Sequence, residues 1–289
     1  MAAEGDNVTW YNYTGADGQV IPHDATHIIV AKFVSVILPD VFHGNRNIVE
    51  VICDENVKKV EECAFTACPS LRRVIMPGVE IVEENSFLGC EVLADVEFGK
   101  LEIIRYAAFN GCTSLGSINL PSARIVEGDT FNDCETLTKV KFGSKLERIE
   151  EMAFDDCTSL ERITIPLKEG LMNDNNTFQG CLDLVHVDLV EGPTHETIAA
   201  LHFEEWRNDM NEEIDSINQI LPTVDAGRWA RDAGGKARAI RTWIRSVIGK
   251  TIHYKVQHQR LLDEAATTLQ LALPKDIVMK NVLPFLELP

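Results

Sequence analysis

Eight cysteines and eight histidines are the residues of this 289-residue chain whose types could hold a metal, form disulfides or carry nucleophilic chemistry. Six of the cysteines, Cys68, Cys90, Cys112, Cys134, Cys157 and Cys181, follow one another at steps of 22, 22, 22, 23 and 24 residues. Spacing that regular puts them at one position of successive structural turns, in a straight file with parallel Cβ vectors. Such a file cannot surround a tetrahedral zinc. Its side chains also point alongside one another instead of at one another, against the geometry of a disulfide. The expectation is reduced, buried thiols acting as small apolar groups, with disulfides between some of them as the competing reading. Cys53 and Cys63 lie off the file, and their pairing stays open.

The remaining candidates are weaker. His23, His27, His43, His186, His195, His202, His253 and His258 show no metal-ligand cadence. His253 and His258 are five apart, so a helix points them different ways. His195 and His202, near Glu196 and Glu205, leave a minor metal or acid-base alternative to ordinary surface histidines. Acidic pairs recur at Glu61-Glu62, Glu83-Glu84 and Glu150-Glu151, without the ligand spacing of a calcium loop. No glycine-rich phosphate loop, zinc-protease helix or serine elbow is present. The reading is no enzyme, and no catalytic, cofactor or metal residue.

What positions the thiols is a repeat. Phe42, Phe65, Phe87, Phe109, Phe131, Phe154 and Phe178 mark seven copies of 22 to 24 residues, with each cysteine three places after its phenylalanine and Asn45 in that place in the first copy. Leu71, Leu93, Leu115, Leu137, Leu160 and Leu184 keep the sixth place, with Ile48 before them. Val74, Val96, Ile118, Val140, Ile163 and Val187 keep the ninth, with Val51 before them. Five places before Phe stand Ile37, Val60, Val82, Ile104, Val126 and Ile149, and the last copy departs from the pattern with Asn173. Four registers held over so many copies define a solenoid, in which no single turn buries its own apolar side and each stacks on the next. These positions form the expected core. Glycine or a small residue before cysteine (Ala67, Gly89, Gly111, Gly180) and the punctuation Met76-Pro77, Phe98-Gly99, Leu120-Pro121, Phe142-Gly143 and Ile165-Pro166 mark the corners.

The order L-x-x-V/I-x-L/F-P/G followed by V/I-x-x-x-A/S/T-F-x-x-C resembles the leucine-rich repeat of the Treponema or bacterial-surface-antigen type over residues 37–189. That resemblance implies a curved solenoid that works by binding other macromolecules. Because every matched residue is a core position, it transfers no binding or catalytic residue.

The fold class is therefore α+β: a cap over residues 1–36, a solenoid of short strands and turns over 37–190, and a helical module over 191–289. In the cap, Trp10, Tyr11 and Tyr13 form the densest aromatic cluster and are expected to cover the first rung. After Gly192-Pro193 the apolar period becomes helical. A long helix is expected at about 195–221, a second at about 236–272 after a linker with a short helix around Trp229, and a short apolar one at about 276–288. Ile240, Val247, Tyr254, Leu261 and Thr268, with Ile244, Thr251, His258, Ala265 and Ala272, make a heptad seam on the second helix.

Charge varies along the chain. The formal net charge is -18, residues 1–190 carry 15 basic against 31 acidic groups, residues 191–221 are acidic, and residues 222–260 are basic. The two helices are expected to pair antiparallel, acid against base. The acidic field disfavours nucleic acid and anionic lipid and favours a partner with a basic surface. No stretch is apolar enough to span a membrane. The N-terminus shows no secretory signal, and with the thiol usage this leads to the expectation of an intracellular, cytoplasmic setting.

The function expected is a non-enzymatic protein-interaction or scaffold role. The outward residues between Leu and Val of each copy should make the contact: Arg72, Arg73, Asp95, Ser117, Lys139, Arg162 and His186, joined by Trp206 and Trp243 of the helical module. The alternatives are a subunit of a larger assembly or homo-oligomer held through residues 195–289, and, third, attachment to nucleic acid or an anionic membrane through the basic helix 228–260.

Overall fold

The computed structural model describes residues 8–16, 18–201, 203–224 and 235–272. The expected helix at 276–288, the segment around Trp229, and His202 lie outside them. Each coil of the solenoid has a longer and a shorter strand side, built from β-branched residues whose alternate side chains enter the core. The longer side stacks nine parallel strands: Trp10–Tyr13, His27–Val30, Glu50–Ile52, Arg73–Ile75 and Asp95–Glu97 in one run, then Ser117–Leu120, Lys139–Phe142, Arg162–Ile165 and His186–Leu189 in another. The shorter side is one unbroken ladder of six, from Val36–Ile37 through Lys59–Val60, Ile81–Val82, Ile103–Ile104 and Ile125–Val126 to Arg148–Ile149. Residues 10–30, expected as a cap, thus contribute two strands in the same register as the repeats.

Between the sides, the phenylalanines form one column. From Phe42 to Phe178 successive ring centroids lie 4.9–5.5 Å apart and the rings are within 16° of parallel. Tyr13 closes the first end of the column edge-on, 5.3 Å from Phe42. The recurring Phe, Cys, Leu and Val/Ile positions are all buried apart from Val96, which is half-buried. Val96 belongs to the last strand before the interruption of the longer ladder.

Two residues in each corner adopt the left-handed conformation, except in the last copy, which has one. Two places after Phe, Gly44, Ala67, Gly89, Gly111, Asp133, Asp156 and Gly180 have φ between 53° and 73°. Two places before it, Asp40, Cys63, Asn85, Ala107, Asp129 and Met152 have φ between 52° and 56°. The last copy slips by one residue: Met172, not Asn173, bridges to Ile149 and is buried. This slip keeps Asn173 out of the core and uses the one extra residue of that copy.

The first expected helix is broken in two, α1 (Pro193–Ala199) and α2 (Glu204–Ile220). Phe203 is extended (φ -100°, ψ 132°) ahead of Glu204 and Glu205, which favour the start of a helix dipole. The next helix, α3 (Gly235–Ala272), runs unbroken. It packs antiparallel on α2 around Met210, Ile217, Leu221, Ile240, Ile244 and Val247. Its inner heptad seam holds as far as Tyr254 and His258, after which burial moves to Leu262 and Ala266 while Leu261 and Ala265 turn outward. A straight helix of 3.6 residues per turn drifts off a seven-residue repeat in this way.

Candidate protein-contact surface

The strand register assembles the predicted contact residues into one outward column. Glu50 pairs with Arg73 and Arg73 with Asp95; after the interruption, Ser117 pairs with Lys139, Lys139 with Arg162 and Arg162 with His186. The column has two characters. In its first half Arg73 reaches Asp95 at 2.8 Å, Glu97 at 2.8 Å and Glu50 at 3.4 Å, so its charge is spent within the surface. In the second half Arg162 meets Asp188 at 2.7 Å, while the side chains of Ser117 and Lys139 are exposed and make no hydrogen bond or ion pair among the described residues. The second outward column, two residues further along each strand, went unnoticed in the sequence. It runs Ile29, Ile52, Ile75, Glu97 and then Asn119, Lys141, Thr164, Asp188, with Thr164 itself buried. Strand alternation would have located it once the first column was known. Arg72 is exposed beside a groove lined also by Val8, Thr26, His27 and Ser70.

The excess of acid lies elsewhere, along and after the shorter strands. There the cations are bracketed by nearby acids: Lys59 by Glu61 of its own coil (3.0 Å) and Glu83 of the next (2.8 Å), Arg105 by Glu127 of the next coil (2.6 Å), and Arg124 by Glu147 of the next coil (2.9 Å). Glu62, Glu84 and Glu151, without ion pairs among the described residues, supply the uncompensated charge.

The two tryptophans separate. Trp206 is half-buried, stacked on Tyr254 at 5.0 Å, with Phe203 edge-on to it. Trp243 is only 4% exposed and donates its indole N–H to the Glu213 carbonyl at 2.9 Å, so it belongs to the α2–α3 packing. The cations of the basic helix are largely engaged in the fold. Lys250 bridges Asp209 and Glu213, each at 3.0 Å. Arg241 bonds the Asp174 carbonyl and Asn175. Lys236 is buried and donates to the carbonyls of Leu182 (2.9 Å) and Leu184 (2.7 Å), burial holding its pKa below the usual lysine value. Lys250 is where acid meets base between α2 and α3, bridging two carboxylates of the acidic helix.

The thiol file does structural work. Each sulfur from Cys68 to Cys181 donates to the carbonyl of the phenylalanine one coil back, at 3.0–3.3 Å. Burial pushes the Cys112, Cys134 and Cys157 thiols up and Cys53 up to about 12. All eight cysteines are free. Among the described residues no cluster of His, Cys, Asp and Glu could hold a metal, and no helix is long and apolar enough to cross a membrane. No catalytic centre is assembled there.

Stacked short strands, a phenylalanine column and a leucine-lined interior define a leucine-rich-repeat solenoid followed by an α-helical module. The BspA type leucine rich repeat region matches in six copies over residues 23–125 and 102–218, and the chain belongs to that family. No curated protein matches it. Among solved structures it is similar to a leucine rich cell surface protein of Faecalibacterium prausnitzii A2-165, with 24% identity over 65% of this chain and 52% of that one and a TM-score of 0.52. It is also similar to the T. pallidum leucine rich repeat protein (20% identity, 61% and 82% coverage, TM-score 0.48) and to the pneumococcal vaccine antigen PcpA (18%, 63% and 54%, TM-score 0.44). The chain thus spans about half the length of two of these relatives. The fold is consistent with protein interaction or scaffolding in general.

The intracellular, cytoplasmic setting expected from the sequence is corrected by the similarity to a cell surface protein. Its physical premise also fails. The file thiols stay free because they lie parallel, each turned to a carbonyl, and that geometry says nothing about the compartment.

Proposed function

We propose that this chain is a non-enzymatic binding protein whose longer strand side engages a protein partner. The observation that carries the reading is the second half of the outward column, where Ser117 and Lys139, with Lys141 and Asn119 beside them, are exposed and unpaired on a frame fixed by backbone ladders. Polar groups without internal partners have no contact to break when a complementary surface arrives, and the rigid sheet that carries them has no backbone left to order. A partner with a basic surface, suggested by the net charge, fits the acid-rich flank of Glu62, Glu84 and Glu151, while the strand column offers Lys139 and Lys141 to carboxylates. A partner that wraps from one side to the other satisfies both.

The test replaces Ser117, Lys139, Lys141 and His186 together by alanine in the full chain and compares what each protein captures from lysate. Loss of a captured protein from the variant, with unchanged thermal unfolding, supports the reading. Identical capture by both proteins sinks it.

A further inference from the structure

The outward face of α3 carries a pattern that the packing among the described residues does not use. Arg245, Gly249, Ile252, Val256, Gln259 and Asp263 are spaced 4, 3, 4, 3 and 4 residues apart, the a and d cadence of a heptad, and all six are exposed. Ile252 and Val256 are 57% and 61% exposed, on the side of the helix away from the core face that holds Ile240, Ile244 and Val247. This second stripe is distinct from the inner seam. It is apolar only at its centre and carries a cation at one end and an anion at the other.

That arrangement is self-complementary in one orientation. If a second α3 lies antiparallel about a two-fold axis between Ile252 and Val256, position n meets position 508 minus n. Ile252 then meets Val256, Gly249 meets Gln259, and Arg245 meets Asp263, each pair occurring twice. Layers of a against d are those of antiparallel helix packing. Space is also matched, because nothing lies within 4 Å of where a side chain on Gly249 would begin, leaving room for the glutamine opposite. A parallel pair would set Arg245 on Arg245 and Asp263 on Asp263, so like charges oppose that alternative. Within the chain Arg245 has a distant partner, Glu169 at 3.9 Å, and Asp263 accepts from Gln259 at 3.1 Å. Both contacts are exposed and weak enough to yield.

We propose that the occupant of this stripe is a second copy of this chain, held antiparallel through α3 from Arg245 to Asp263, a seam of roughly 27 Å at 1.5 Å per residue. With two exposed aliphatic residues per copy the seam makes a weak, concentration-dependent dimer, and its two-fold symmetry stops assembly at two. The proposal does not rest on the strand-side contact surface. A dimer would carry two such surfaces.

Sedimentation of the full chain over a wide concentration range tests it. The wild type is expected to pass from monomer to dimer. Val256→Glu should raise the dissociation constant by more than about tenfold while leaving helix content unchanged, since the side chain is exposed. Arg245→Asp and Asp263→Arg should each weaken the dimer, and the two together should restore it, because the exchange rebuilds both ion pairs in the other sense. A wild type that stays monomeric at every concentration overturns the proposal. So does a dimer indifferent to Val256→Glu or not rescued by the double exchange. If Val256→Glu unfolds, the charge exchange decides alone. Retained dimerisation in the strand-side alanine variant keeps a failure of either proposal distinguishable from a failure of the other.

Discussion

Each file cysteine acts as a hydrogen-bond donor as well as a small core residue. Without a donor at that place, the phenylalanine carbonyl one coil back keeps the backbone N–H it accepts within its own coil, as Phe109 does from Cys112 at 3.1 Å, and loses only its second, sulfur contact, at a cost of about 0.5–1.5 kcal/mol. In the first copy Asn45 stands in this place, and its side-chain oxygen accepts instead from the backbone N–H groups of Asn47 and Ile48. The file was legible from spacing alone. The bond to the carbonyl was not, because carbonyl direction depends on corner dihedrals that periodicity does not encode. Two expectations follow from burial of the thiols. At neutral pH a thiol reagent should label the native protein chiefly at Cys63, the one cysteine that is only half-buried, and all eight after denaturation; rapid labelling of Cys112 or Cys134 in the native state would contradict the geometry. The fold holds the protonated form of Cys53, Cys112, Cys134 and Cys157, whose pKa values are raised, whereas the unfolded chain sheds those protons above about pH 8.5. Stability should therefore be flat, as far as the thiols go, below that pH and fall above it, by up to about 1.4 kcal/mol per thiol per pH unit. Urea midpoints at pH 7 and pH 10 measure it.

The corners are the element in which sequence and structure part. Recurring phenylalanine, leucine and valine made the stacking readable, since core positions tolerate few substitutes in size and shape. The left-handed position two places after Phe was half-readable, because glycine fills it in four of seven copies. The one two places before Phe was hidden because only Asp40, Asn85 and Asp129 are of a type that tolerates it, while Cys63, Ala107 and Met152 are not. Coil stacking imposes the conformation there, against a local preference worth roughly 1–2 kcal/mol for a residue such as Ala107. The glycines that remain are not equivalent. A Cβ on Gly89 meets nothing within 4 Å, whereas one on Gly180 would lie 2.9 Å from the backbone of Asp156 and 2.2 Å from its carboxylate. Gly89→Ala should thus cost about 1 kcal/mol, for conformation alone. Gly180→Ala should cost clearly more, as the neighbouring corner must move. Chemical denaturation of the two variants compares them, and equal losses would show that the last corners are loose enough to absorb a methyl group.

At the scale of the whole molecule the two ends of the solenoid are closed by different means. At the start, Tyr13 ends the aromatic column, and the Gln19 side chain bonds the outward Asn12 carbonyl of the edge strand at 3.1 Å. At the far end the helical module covers Phe178, Leu184 and Val187 and bonds the exposed backbone: Asn218 accepts from the Val187 N–H at 2.9 Å, and Lys236 donates to two carbonyls of the last coil. The change to helical periodicity announced such a module. Its role as the lid on an open parallel edge depended on a lysine and an asparagine that no repeat pattern singles out. A buried ammonium with three donors is well suited to adjacent strand-end carbonyls, and removing it leaves both in a site closed to water. Lys236→Ala in the full chain should accordingly lower unfolding stability by about 1–3 kcal/mol, while Lys139→Ala, at an exposed unpaired position, should change it by less than about 0.5 kcal/mol. Urea denaturation of the two variants makes the comparison. If they unfold at the same midpoint, the helices rest on the solenoid without sealing it, and the exposed edge that β-solenoids must hide is being protected by something other than Lys236.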